Sequence, residues 1–69
     1  MSAFSNRLLE LRQSRNVSQK KIAQEIEVDV RAYQRYEYGE REPQISTFFR
    51  IADFYGVSLD YLAGRTDTP

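Results

Sequence analysis

The 69-residue sequence predicts an all-α domain of five short helices. Three observations predict it. Apolar residues recur at three- and four-residue spacing from end to end, sustained period-two alternation is absent, and capping residues and glycines punctuate the chain at helix-length intervals. Residues 1–64 make the single domain this length allows. Residues 65–69 carry no periodic pattern and read as a flexible C-terminal tail.

Helix 1 is expected from about Phe4 to Ser14, with Phe4, Leu8 and Leu11 on one stripe and Arg12 beside it. Val17 lies in a short connection. Ser18 is placed to cap helix 2, about Gln19 to Ile26, because its hydroxyl can accept a backbone N–H that the first turn leaves free. Ile22, Ala23 and Ile26 face inward. After Glu27 and Val28, Asp29 caps helix 3, about Val30 to Tyr38, and its carboxylate suits the positive end of the helix dipole. Gly39 stops that helix by tolerating a left-handed conformation. Residues 40–44 form a loop in which Pro43 bars helix continuation. Helix 4, about Ile45 to Tyr55, buries Phe48, Ile51, Ala52 and Tyr55 and ends at Gly56. Ser58 caps helix 5, about Leu59 to Ala63, and Gly64 closes it.

Composition excludes several function classes. The chain has no Cys and no His, so it can form no disulfide, no zinc finger and no thiol nucleophile. It also lacks a Gly-rich phosphate loop, and Glu25 and Asp29 read as surface or capping groups. No catalytic residue, metal ligand, cofactor or small-molecule substrate is therefore expected, since helices this short leave no pocket of useful volume. Nothing approaches the roughly 18 apolar residues of a membrane span, and the N-terminus lacks a secretory signal. The expectation is a soluble, cytoplasmic protein.

Net charge is zero and the pI is near 6.2, although a nucleic-acid-binding domain often has a pI above about 9. The charge is unevenly spread. Residues 1–41 hold eight Lys/Arg against six Asp/Glu, and residues 42–69 hold two against four. Phosphate binding needs a local positive surface rather than a positive total.

Helices 2 and 3 are short, amphipathic and joined by a tight turn, which forces a crossing of the helix-turn-helix kind or, equally simply, a bundle corner. On helix 3, Tyr33 and Tyr36 lie on one side with Glu37 beside them. Arg31, Gln34, Arg35 and Tyr38 lie on the other, which holds no Asp or Glu. Arg can bind guanine O6 and N7 as a fork, and Gln can do the same for adenine N6 and N7. This face is chemically ready for a DNA groove. Read blandly, it is a solvated helix surface.

Three runs carry a resemblance. They are Leu8-x-x-Leu11-Arg12 with Val17-Ser18-Gln19-x-x-Ile22-Ala23, then Tyr36-Glu37-Tyr38-Gly39-x-Arg41-x-Pro43, then Ile51 through Leu62. Together they resemble the phage repressor and Cro-type, or xenobiotic-response-element-type, helix-turn-helix family over about residues 4–64. The resemblance implies a lambda-repressor-like DNA-binding domain whose helix-turn-helix is helices 2 and 3. It implies a phosphate contact for Gln19, major-groove positions for Val30, Arg31 and Arg35 with Gln34 nearby, and a phosphate contact for Arg41. Arg12 and Glu37 match a pair that bridges helices 1 and 3; the plainer reading is two separate surface charges. The implied partner is double-stranded DNA, bound by a homodimer on a two-fold site, and the implied role is a transcriptional regulator, most simply a repressor. A rival reading keeps the fold but makes it a protein-interaction module, antitoxin-like or co-regulatory, with weak DNA contact.

The sequence departs from the family pattern where Glu27 replaces a usual turn Gly, where Glu40 replaces a common Lys, and where Tyr33 and Tyr36 replace aliphatic residues. If Glu27 takes a positive φ, the strain costs about 1–2 kcal/mol. Helical spacing makes Phe48 and Tyr55 core residues rather than base-stacking platforms. Phe49 and Phe54 fit the core less well and read as either a dimer contact or ordinary exposed aromatics. Lys20 and Lys21 fit a phosphate contact or a solvated face.

Overall fold

A computed structural model describes residues 2–69. It contains five helices and, among the described residues, no strand: α1 Ala3–Ser14, α2 Gln19–Glu25, α3 Val30–Glu37, α4 Ile45–Tyr55 and α5 Leu59–Ala63. α1 begins one residue before its expected start, and α2 and α3 each end one residue early, within the usual fraying of helix ends.

The caps form as the residue types dictate. The hydroxyls of Ser2, Ser18 and Ser58 accept the backbone N–H of Ser5, Lys21 and Tyr61 at 3.0–3.1 Å, and the Asp29 carboxylate accepts that of Ala32 at 2.9 Å. Gln44, at the capping position before α4, makes no side-chain cap. Gly64 ends α5 at φ +82, and a Cβ there would lie 2.5 Å from the Ala3 Cβ. Only a glycine lets the end of α5 approach the start of α1 this closely.

The core is built from every helix. Leu8, Ile22, Ile26, Tyr33, Ile51 and Leu62 are fully enclosed, with Phe4, Leu11, Ala23, Ala52 and Tyr55 around them. Phe48, expected in the core, is half-buried and stacks on Phe4 at 5.4 Å between ring centroids. Phe54 is half-buried with its ring edge-on to Tyr55, and Phe49 is exposed. α2 packs on α3, and α1 packs on both α3 and α5. The Arg15 guanidinium donates to the Tyr55 carbonyl at 3.1 Å, so a cation from the end of α1 satisfies the C-terminus of α4.

Residues 65–69 turn back onto the domain. The Thr66 carbonyl accepts from Arg7 at 3.3 Å, the Asp67 carboxylate pairs with Arg7 at 3.3 Å, and the Pro69 carbonyl accepts from Ser58 N–H at 3.1 Å. Arg7 also lies 3.9 Å from the centroid of the Tyr61 ring, a cation–π contact.

Residues 26–29 link α2 to α3. The Val28 N–H bonds the Ala23 carbonyl at 3.0 Å, and Glu27 sits at φ +62. A side chain there costs about 1–2 kcal/mol against glycine. Glu27 recovers part of this through an exposed ion pair with Arg50 at 3.5 Å, a kind of contact worth about 0–1 kcal/mol. Glu27→Gly is therefore expected to raise the thermal midpoint by a few degrees, since about 1 kcal/mol moves a domain of this size by about 4–8 °C. An unchanged or lower midpoint in a calorimetric scan, with Arg50→Ala as control for the lost pair, would show that the turn carries no strain.

Candidate nucleic-acid interface

The interface is organised around a buried carboxylate. Glu37, in the last turn of α3, is 3% exposed. Four donors converge on it: Arg12 Nε at 2.5 Å and Nη2 at 3.2 Å from α1, the Tyr33 hydroxyl at 2.5 Å from one turn back on α3, and Gln19 Nε2 at 3.1 Å from the first turn of α2. Arg12 also donates through Nη1 to the Val17 carbonyl at 3.1 Å, tying the α1–α2 connection to the same cation. Three helices therefore meet at one forked ion pair, which fixes α3 relative to α1 and α2.

The electrostatics follow from these contacts. Burial acts to raise the Glu37 carboxyl, but the hydrogen bonds from Arg12, Tyr33 and Gln19 outweigh it and hold the group below its ordinary value. The hydrogen bond to Glu37 raises Arg12 above its ordinary value, against the lowering effect of burial. Burial, reinforced by the bond to Glu37, pushes the Tyr33 phenol far up, so it stays protonated and donates to the carboxylate. Burial also pushes Tyr55 up to about 12, with the neighbouring Tyr33 hydroxyl opposing that shift. The two hydroxyls do not meet hydrogen-bond geometry, and the Tyr55 hydroxyl is buried without a partner.

The opposite side of α3 is open. Arg31 and Arg35 are exposed, one turn apart, and with Gln34, Tyr38 and Glu40 they line a surface hollow of about 300 Å³. Gln34 is half-buried because its Nε2 donates to Gln19 Oε1 at 3.1 Å. Val30, 38% exposed, stands at the first turn of α3 outside that hollow. Arg41 is exposed in the loop after α3 and lines a different hollow, with Ala32, Tyr36 and Arg50. The structure thus gathers Arg31, Gln34 and Arg35, leaves Val30 beside them at the start of α3 but outside the hollow, places Arg41 in a different hollow, and engages the Gln19 amide between Glu37 and Gln34.

Sequence reasoning missed two participants. Glu40 rims the hollow because its N–H bonds back to the Arg35 carbonyl at 2.9 Å, folding the chain after Gly39 against α3. The helix face is free of carboxylates, but the hollow is not. The Tyr33 hydroxyl was the other; its place four residues before Glu37 on the same helix face was the available signal.

A short helix pair joined by residues 26–29, with the second helix locked from behind and its basic side open, defines a helix-turn-helix domain. The chain belongs to the helix-turn-helix family, whose model matches residues 8–62. It is 34% identical over 65 residues to a cryptic phage CTXphi transcriptional repressor, RstR, of Vibrio cholerae, covering 94% of this chain and 59% of that protein. It is 37% identical over 59 residues to an uncharacterized HTH-type transcriptional regulator, YqaE, of Bacillus subtilis, covering 86% of this chain and 51% of that one. A crystal structure of a transcriptional regulator from Listeria innocua superposes with a TM-score of 0.85 at 30% identity, over 88% of this chain and 57% of that one. The chain thus spans little more than half the length of these relatives. No helix among the described residues is long and apolar enough to cross a membrane.

Proposed function

We propose that this domain binds double-stranded DNA sequence-specifically and acts in transcription regulation, as a repressor, with α3 in the major groove. The observation that carries the reading is the open side of α3. Two guanidinium groups, unpaired among the described residues, and an amide stand together there, on a helix that a buried ion pair holds in place. Arg31 and Arg35 read guanine edges, and Gln34 reads adenine. Val30, at the tip of α3, packs on a thymine methyl. Arg41 and the remaining N–H of Gln19 bind phosphates and set the register. Two relatives named as repressor or regulator, and a solved regulator of the same fold, support this role.

One such domain covers only a few base pairs. The working unit is a homodimer on a two-fold site with half-sites about 34 Å apart or a multiple of that. The protein works in the cytoplasm and is not an enzyme. The test is selection of duplexes from a random pool at low salt. The expected product is one enriched motif with two-fold symmetry. A pool that stays random would overturn the reading and favour a protein-interaction module.

A further inference from the structure

We propose that Gln19 is a positioning residue: it fixes which way the Gln34 amide faces DNA and so sets the base chosen at the position Gln34 reaches. This rests on the duplex-binding reading above. The argument begins at Glu37, whose carboxylate is buried and ionised against Arg12. An ionised carboxylate only accepts hydrogen bonds. The Gln19 amide must therefore turn its NH₂ group inward, where Nε2 lies 3.1 Å from Glu37 Oε1. The flipped amide would set oxygen against carboxylate.

That choice leaves Gln19 Oε1 as an acceptor, and Gln34 Nε2 donates to it at 3.1 Å. One N–H of Gln34 is thereby consumed. The amide keeps one N–H and its carbonyl oxygen, a single donor beside a single acceptor, in an order dictated from Glu37 through Gln19. Adenine offers N7 as acceptor and N6 as donor in the major groove, which complements that pair. Guanine offers two acceptors, O6 and N7, and a Gln34 with only one free N–H cannot serve both. A Gln34 released from Gln19 has two N–H groups and loses this reason to reject guanine.

The experiment uses the duplex selected by the wild-type chain, remade with each of the four bases at every position. Wild type, Gln19→Met, Gln34→Ala and the double variant are titrated against the set at one salt concentration. Gln34→Ala should erase the preference at one position, where wild type favours adenine over guanine by about tenfold, the low part of the range for a bidentate contact. Gln19→Met should level adenine against guanine there to within about twofold. It should leave the preferences at other positions unchanged and alter no base preference further in the double variant, whatever even loss its phosphate contact adds. Gln19→Ala, which keeps a good helix former at that position, replaces Gln19→Met if the latter fails to fold. A uniform loss across all duplexes for both Gln19 variants would reduce Gln19 to a phosphate or packing role and overturn the inference. So would a Gln34→Ala variant with unaltered base preference. Either result leaves the wild-type site, and hence the DNA-binding reading, intact. A wild-type chain that enriches no duplex overturns both.

Discussion

Replacing Glu37 by Ala is expected to destabilise the fold by about 3–5 kcal/mol, the loss seen when one partner of a buried ion pair is removed. The structure explains why the effect belongs at that level. Without the carboxylate, the Arg12 guanidinium keeps only the Val17 carbonyl, and the enclosed Tyr33 hydroxyl loses its acceptor beside a Tyr55 hydroxyl that already has no partner. A domain of this length has a total stability of about 3–10 kcal/mol at typical values per residue, so the loss takes about a third of that total at the least and all of it at the lower end. Arg12→Ala should cost about as much, because it strands the carboxylate instead. Replacing both residues by Met should cost markedly less than the two single changes together, since no charge is then left without a partner. Urea unfolding of the four proteins checks this. A loss under about 1 kcal/mol for Glu37→Ala would show that the pair is no more than a surface bridge.

The same pair sets the acid dependence. The folded Glu37 carboxyl is held below its ordinary value near 4.5. A carboxyl depressed in the folded state contributes stability that is present above its unfolded value and is lost as pH falls through its folded value. The pair's contribution should therefore be intact at neutral pH and begin to fade below about pH 4.5. Arg12, raised above its ordinary value by the hydrogen bond to Glu37, gives the opposite sign. Its contribution is complete below that value and lost only above it. Glu37→Gln should flatten the acid limb of stability measured by urea unfolding. An unchanged limb would place the controlling carboxylate elsewhere.

Much of this arrangement was legible in the residues. Caps at Ser18, Asp29 and Ser58 and stops at Gly39, Gly56 and Gly64 mark helix ends through local backbone chemistry, which needs no tertiary knowledge. The two sides of α3 separate for the same reason, because helical periodicity alone sorts Tyr33 and Tyr36 from Arg31 and Arg35. Contacts between segments were harder to read. Gln19 lies 15 residues before Gln34, and only the packing of α2 on α3 shows that their amides meet. The fold-back of Glu40 depends on the turn after Gly39. The docking of residues 66–67 on Arg7 spans almost the whole chain and leaves no periodic trace. Phe48 is the converse case. Its spacing matches a core position, yet it lies in the first turn of α4, and the ring finishes stacked on Phe4 in the first turn of α1, at the margin of the core.

Arg31→Ala and Arg35→Ala are each expected to weaken binding to the selected duplex by about 1–3 kcal/mol while changing binding to random duplex far less. Both side chains are exposed, neither is engaged in an ion pair among the described residues, and neither supports the core. Their loss should leave the unfolding midpoint nearly unchanged and so report on recognition alone. They stand one turn apart on α3, separated by about 6 Å of helix rise. That distance is close to two base-pair steps of about 3.4 Å, so each should govern a different position of the site. Because the two share one hollow with Gln34, the double variant should not be strictly additive. Arg→Lys at each position separates charge from shape: lysine keeps the phosphate attraction but lacks the planar fork that matches guanine O6 and N7. Arg35→Lys should therefore hold its affinity for random duplex and lose discrimination at one position. If instead Arg31→Ala, Arg35→Ala and Arg35→Lys all weaken selected and random duplexes by the same factor, the guanidinium groups act only as phosphate ligands, and α3 does not read the sequence.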